Sequence, residues 1–262
     1  MNPPTTPPAA LAPRAGPFPA PRSLHQESGL PRFDPAETGS TMISEWGVQT
    51  QSRQWAVLQA IERAWDERPW PDGLRSYHVF PSIDGTTLLH HSRWTEDAAF
   101  EAFVARHRDA RVDLIDTEVP GIVRDGLGRF KLYRSHLAQP SPAPTGCFVV
   151  VRVEAATAAL QQSWIDAVCA ALEGDRVPGL IAAHFHVCDD GRIANIAQWE
   201  SEAAHLQAMA GGTGIAQHES SAWHRVRTMP GITQRGLQRF RLPHVIGAAS
   251  QASTRRTEVP HA

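Results

Sequence analysis

One motif occurs twice in this chain, and that repetition limits its fold more than any other feature. Pro120-Gly121-Ile122-Val123-Arg124-Asp125-Gly126-Leu127-Gly128-Arg129-Phe130-Lys131-Leu132 returns as Pro230-Gly231-Ile232-Thr233-Gln234-Arg235-Gly236-Leu237-Gln238-Arg239-Phe240-Arg241-Leu242. Eight of the thirteen positions are identical without a gap, where composition alone would give about one. Upstream, Gly73-Leu74 answers to Gly179-Leu180, His78 to His184, Asp84-Gly85 to Asp190-Gly191 and Trp94 to Trp199. A period of 105 to 110 residues is too long for a solenoid unit and suits a small domain, so the expectation is a duplicated domain.

Composition narrows the function classes. A net charge of -2 over 262 residues and a pI near 6.7 give no global attraction to nucleic acid or an anionic membrane. Cys147, Cys169 and Cys188 have no CxxC spacing, which fits a reducing cytoplasm and argues against a zinc ribbon or disulfide framework. No stretch reaches the roughly eighteen apolar residues of a membrane span.

The domain boundaries follow composition. Residues 1–40 carry ten of the 21 prolines and read as a disordered Pro-rich tail. Domain 1 covers 41–138, a Pro-rich linker 139–145, domain 2 146–246, and a loose tail 247–262. Each copy reads as strand, helix, strand, strand, helix, strand. In the first, Trp55, Leu58, Ile61 and Trp65 mark a helix over 53–67. Asp84-Gly85 marks a hairpin between strands 74–82 and 86–94. Thr95 is placed as the N-cap of the second helix, and the last strand is 127–135. The second copy repeats this with strands 147–154, 180–188, 192–199 and 236–242, and helices 156–172 and 202–209. It is longer between the tryptophan and the repeated motif, near Gly211-Gly212-Thr213-Gly214, which reads as a flexible loop. A βαββαβ unit leaves one face of its four-stranded antiparallel sheet apolar. Two such faces are expected to cover each other within the chain, as a covalent version of a symmetric dimer.

At this level the chain resembles the antibiotic biosynthesis monooxygenase domain, of the ferredoxin-like dimeric α+β barrel superfamily. The likeness rests on the βαββαβ order and on Pro178-Gly179-Leu180, with Pro71-Asp72-Gly73-Leu74 in the first copy. It rests also on a tryptophan before an acidic helix start, Trp94-Thr95-Glu96-Asp97 and Trp199-Glu200-Ser201-Glu202. It covers about 42–138 and 146–245. The fold class it implies is α+β, with two ferredoxin-like domains whose four-stranded sheets pack as an intrachain pseudo-dimeric barrel. A further homodimer is compatible with this.

The candidate chemistry lies on the third strand of each copy. Asn195, Ala197 and Trp199 alternate onto one face, leaving space between an amide and an indole. That spacing resembles the Asn/Trp pair of cofactor-free anthrone oxygenases. The resemblance implies O2 and a small aromatic substrate, anthrone- or quinol-like, as reaction partners, and no cofactor. Losing a proton makes such a ring a carbanion able to pass an electron to oxygen. Amide and indole N–H groups can favour the anion in a dry pocket. Asn195, Trp199 and the repeated His184 are the candidate catalytic residues, with His184 read as a base for a phenol. Trp94, His90 and His186 are candidate substrate-binding residues. In the first copy His90 replaces Asn195 and Ser92 replaces Ala197. His184 and His186 could begin a metal site, yet no third ligand has a compelling spacing, so no metal is expected. The haem-degrading branch pairs a first-strand Asn with a His ten residues after the tryptophan; Val104 and Met209 occupy those places here, so haem is not expected. Each residue has a plainer reading, with Trp199 as a core plug and His90 as a satisfied strand histidine. The whole chain has one too: a non-catalytic barrel that binds a small apolar ligand.

Overall fold

The computed structural model describes residues 29–34, 39–138, 143–210 and 220–247. Most of the Pro-rich arm, the middle of the linker, the Gly211–Gly214 loop and residues 248–262 lie outside these. The first repeat runs β1 (Ser40–Gly47), α1 (Gln51–Asp66), β2 (Leu74–Pro81), β3 (Thr87–Trp94), α2 (Asp97–Phe103), a π-helical turn (Val104–Arg108), α3 (Asp109–Glu118) and β4 (Val123–Leu137). The second runs β5 (Cys147–Ala155), α4 (Ala158–Gly174), β6 (Leu180–Cys188), β7 (Arg192–Trp199), α5 (Glu202–Met209), α6 (Ser221–Thr228) and β8 (Ile232–Phe240). A two-residue β9 (His244–Val245) follows.

Local chemistry builds both halves by the same rules. Thr50 caps α1 by accepting from Arg53 N, and Thr157 caps α4 by accepting from Leu160 N, which satisfies an otherwise unpaired helix donor. One turn later a buried glutamine ties each helix to the hairpin beneath it. Gln54 Nε2 donates to the carbonyls of Ser82 and Thr87. Gln161 Nε2 donates to those of Cys188 and Arg192. The hairpins turn at Gly85 and Gly191, with φ of 78° and 95°, where a side chain would be strained. Thr95 does not cap α2; the N-cap is Glu96, which makes no side-chain capping bond.

All nine strands form one antiparallel sheet, in the order β8-β5-β7-β6-β4-β1-β3-β2-β9. This corrects the expectation of two separate four-stranded sheets. The last strand of the first half is fifteen residues long, against nine in its counterpart. Its outer edge pairs with β6 from Phe130–Cys188 to Leu137–Ala182. Unpaired strand edges carry backbone groups that need partners, and an edge in the same chain supplies them. At the far end of the order, Ser82 bridges Phe240, with Ile83 N donating to Arg239 O and Arg241 N to Pro81 O, each at 2.9 Å.

Alternation along the strands divides the core. On the outer face, helices of each half cover their own strands in two clusters, around Trp65, Tyr77 and Trp94 in the first half and around Trp164, Trp199 and Trp223 in the second. The inner face carries a third cluster drawn from both halves: Ile43, Phe80, Leu89 and Phe130 with Phe148, Val150, Ile196 and Phe240. Phe80 and Phe148 meet edge to face at 5.0 Å, and Arg152 pairs with Glu45 across the halves. Leu30 and Phe33, from the arm read as a tail, pack against this cluster. No helix of the described residues is long and apolar enough to cross a membrane.

Candidate functional site

A pocket of about 190 Å3 opens between the outer face of the first half's sheet and the run from α2 through the π-helical turn to α3. The strands supply its floor. Alternation places Trp46 of β1, Tyr77 of β2, and His90, Ser92 and Trp94 of β3 on this face. Trp65, Phe103, Arg111 and Ile115 come down from the helices. The π-helical turn carries Arg108 to the rim; such turns often mark functional sites.

His90 is the chemical centre of this pocket. It is 5% exposed and lies 4.2 Å from the Trp46 ring. The Tyr77 hydroxyl and His90 Nδ1 share a 2.6 Å hydrogen bond, while Nε2 is buried with no partner. Burial, with the Arg124 guanidinium adding to it, holds the imidazole down at about 3, and burial raises the Tyr77 phenol above its usual range. Both groups are therefore neutral near pH 7. If the phenol donates to Nδ1, the ring proton sits on Nε2; if the ring donates, Nε2 is a lone pair. Either way, one polar atom of a neutral imidazole is left for a ligand.

Two guanidiniums edge the aromatic wall. Arg124 stacks over Trp46 at 4.3 Å and forms a two-pronged pair with Asp116. Arg111 lies 4.7 Å over Trp65 and donates to Pro69 O and His107 O. Trp94 Nε1 donates to Ser92 Oγ at 3.0 Å, so this indole is a satisfied wall.

In the second half, register aligns Asn195 with His90 and Trp199 with Trp94. Asn195 Oδ1 and Trp199 Nε1 are both buried without partners, on one face with Ala197 between them. His205 of α5 meets the Trp199 ring edge-on at 4.8 Å. It accepts from Arg239 Nε through Nδ1 at 2.9 Å.

The structure does not bring His184 and His186 to this group. His184 pairs with Ile196 and His186 with Ala194, both members of the inner cluster, so these histidines face away from Asn195 and Trp199. Trp94 and His90 do share the first-half pocket. Trp46, given no role from the sequence, and Tyr77, Arg111 and Arg124 belong to it as well. Ser40 and Cys147 take the same place opposite the tryptophans, so Val153 is the counterpart of Trp46 in the second half. Nothing in the sequence marks Arg111. Among the described residues, no three His, Cys, Asp or Glu side chains are grouped to hold a metal ion.

No family model and no curated protein matches this chain. Among solved structures, it is similar to one described as an anthrone oxidase-like protein. They share a TM-score of 0.60 at 16% identity, over 80% of this chain and 94% of that one. A candidate monooxygenase from Lactobacillus acidophilus NCFM aligns at a TM-score of 0.49 and 9% identity, over 80% of this chain and 96% of that one. The first of these likenesses shows a shared α+β fold.

Proposed function

We propose that the protein is a cofactor-independent monooxygenase that oxidises an aromatic, anthrone- or quinol-like substrate with O2, with its reaction pocket in the first half. The observation that carries this is His90 Nε2, unpaired and buried in an aromatic-walled pocket. A buried polar atom without a partner costs about 1–3 kcal/mol, a cost a ligand oxygen would remove. In an anthrone the reacting CH2 loses a proton to solvent, the carbanion gives electrons to O2, a C–O bond forms, the peroxide anion takes a proton back, and water leaves with the remaining C–H hydrogen to give the quinone carbonyl. His90 binds the ring oxygen as its charge grows, and Tyr77 holds the imidazole in place. A ring anion close to Nε2 would offset the burial that now keeps the imidazole from taking a proton. Trp46 and Trp94 supply stacking walls.

Asn195 and Trp199 are proposed as the corresponding groups of the second half. The way His205 fills the edge of Trp199 supports a ligand-binding or purely structural role there. The strand order, the Ser82–Phe240 bridge and the Glu45–Arg152 pair support reading the two halves as a pseudo-dimeric barrel within one chain. The anthrone oxidase-like alignment supports this too, since 80% of the chain is more than one repeat can supply.

The test is O2 consumption by chelator-treated protein over a panel of anthrones and quinols. Turnover that survives metal removal and yields one carbonyl per O2 is expected; no turnover with any member sinks the oxygenase reading.

A further inference from the structure

The inner face holds a second cluster of polar groups that the oxygenase reading leaves unused. His78 and His91 are register partners on β2 and β3, and His184 and His186 lie on β6. None is more than 4% exposed. Phe33 closes over them: its ring stacks on His184 at 4.1 Å and meets His91 and His186 edge-on at 5.5 and 5.7 Å. His184 Nδ1 is bonded to Ser135 Oγ, and His186 Nδ1 donates to the His184 carbonyl. His91 differs. Both its ring nitrogens are buried with no hydrogen-bond partner, in a residue 1% exposed.

A cavity of about 240 Å3 lies beside His91 and His186, between β1, β3, β4 and the segment carrying Phe33. It is separate from the His90 pocket, because residues 90 and 91 point to opposite faces of β3. Its ionisable lining is Arg32, Arg93 and Lys131 against Asp34, with the two imidazoles. The cationic side chains outnumber the carboxylate, and Thr41 adds a hydroxyl.

We propose that this inner cavity is a binding site for a compact oxyanion carrying its own O–H, such as hydrogen phosphate or a small hydroxy acid. The pairing follows from donor and acceptor counts. A neutral imidazole has one N–H and one lone pair. An anion with several acceptor oxygens and one hydroxyl proton satisfies both, whereas a simple apolar guest satisfies neither. Burial keeps His91 well below its usual value, so the free site is poor in charge at the imidazoles and its attraction comes from the rim cations. Arg93, half-buried and donating to the Arg32 carbonyl, is the cation nearest in sequence to His91 and on the same face of β3.

The experiment uses the full chain and inorganic phosphate as probe. Thermal unfolding is followed in about 20 mM phosphate and in sodium chloride of equal ionic strength. At a tenfold excess over the dissociation constant, the wild type is expected to gain about 3 °C. Arg93→Gln should raise the phosphate dissociation constant about tenfold while leaving the melting point in chloride nearly unchanged. His91→Gln should do the same, and His90→Ala should keep the full gain. A melting point that does not respond to phosphate, or a response of equal size in Arg93→Gln, overturns the site. Neither outcome bears on O2 consumption, which the Arg93→Gln protein should retain.

Discussion

The outer faces of the two halves start from the same plan and end differently. Both have a threonine-capped helix, a glutamine clamp on the hairpin and a tryptophan closing the third strand. In the first half, Ser92 beside Trp94 satisfies the indole, and Tyr77 across the strand pair engages one nitrogen of His90. The chain after α2 winds through a π-helical turn and leaves a pocket. In the second half, Ala197 takes the serine's place and Ala183, opposite it, takes the tyrosine's. Trp199 keeps an unpaired N–H, and His205 packs on its edge. The two halves thus meet two demands with one arrangement of elements. The apolar plan is kept in both halves, while a few polar differences decide which half buries a neutral imidazole beside a pocket.

The largest expected effect comes from separating the halves. Residues 146–246 alone would expose Phe148, Val150, Ile196 and Phe240, along with the β6 edge that β4 now covers. Apolar surface contributes roughly 25 cal/mol per Å2, and a bare edge invites pairing. That fragment is expected to self-associate or fail to fold. A well-dispersed NMR spectrum and a monomeric mass by light scattering would show the halves to be independent.

Activity should divide the halves next. His90→Ala is expected to lower kcat/KM by about 10²–10³, as loss of a placed donor does, and Tyr77→Phe by less. Asn195→Ala and Trp199→Phe should change it little. Steady-state O2 kinetics beside circular dichroism decides the matter: the reverse order would move the reaction to the second half, where Asn195 and Trp199 are the proposed donors.

A third comparison sets the inner histidines against solvent. Burial lowers His78 and His186 to about 4 and His184 to about 3, against about 6.5 in the unfolded chain. The unfolded state therefore binds more protons between those values, and folding stability falls as pH drops below about 6.5. Each such histidine adds a slope of up to about 1.4 kcal/mol per pH unit. Denaturant titrations from pH 7 to 4 should show the loss. His184→Gln, which cannot be charged, should make it shallower; an unchanged slope would show that this ring is protonated without cost.

The smallest contrast concerns the two tryptophans. Trp94→Phe breaks a bond to Ser92, whereas Trp199→Phe removes an N–H that has no partner. The first should cost about 1 kcal/mol more than the second, measured by urea unfolding. Equal costs would mean that Trp199 Nε1 is satisfied in solution.

The repeat, its period and the alternation of apolar residues were enough to give the order of elements and most of their ends. These depend on contacts close in sequence: caps, turn glycines and strand or helix periodicity. They also singled out His90, Asn195 and the paired tryptophans, since strand alternation puts them on one face. The helix at 109–118 was not marked, because its apolar spacing is weak, nor was the helix at 221–228.

Three things were decided only in three dimensions. The long β4 found its partner in β6, a pairing that no local pattern encodes because an edge accepts any strand with free backbone groups. The inner and outer faces separated His184 from Asn195, since alternation says which residues share a face but not which face the helices will cover. Lastly, Phe33 left a proline-rich arm to close over the inner histidines. The inner face that receives its ring, with His91 from one half and His184 and His186 from the other, exists only once both halves have come together.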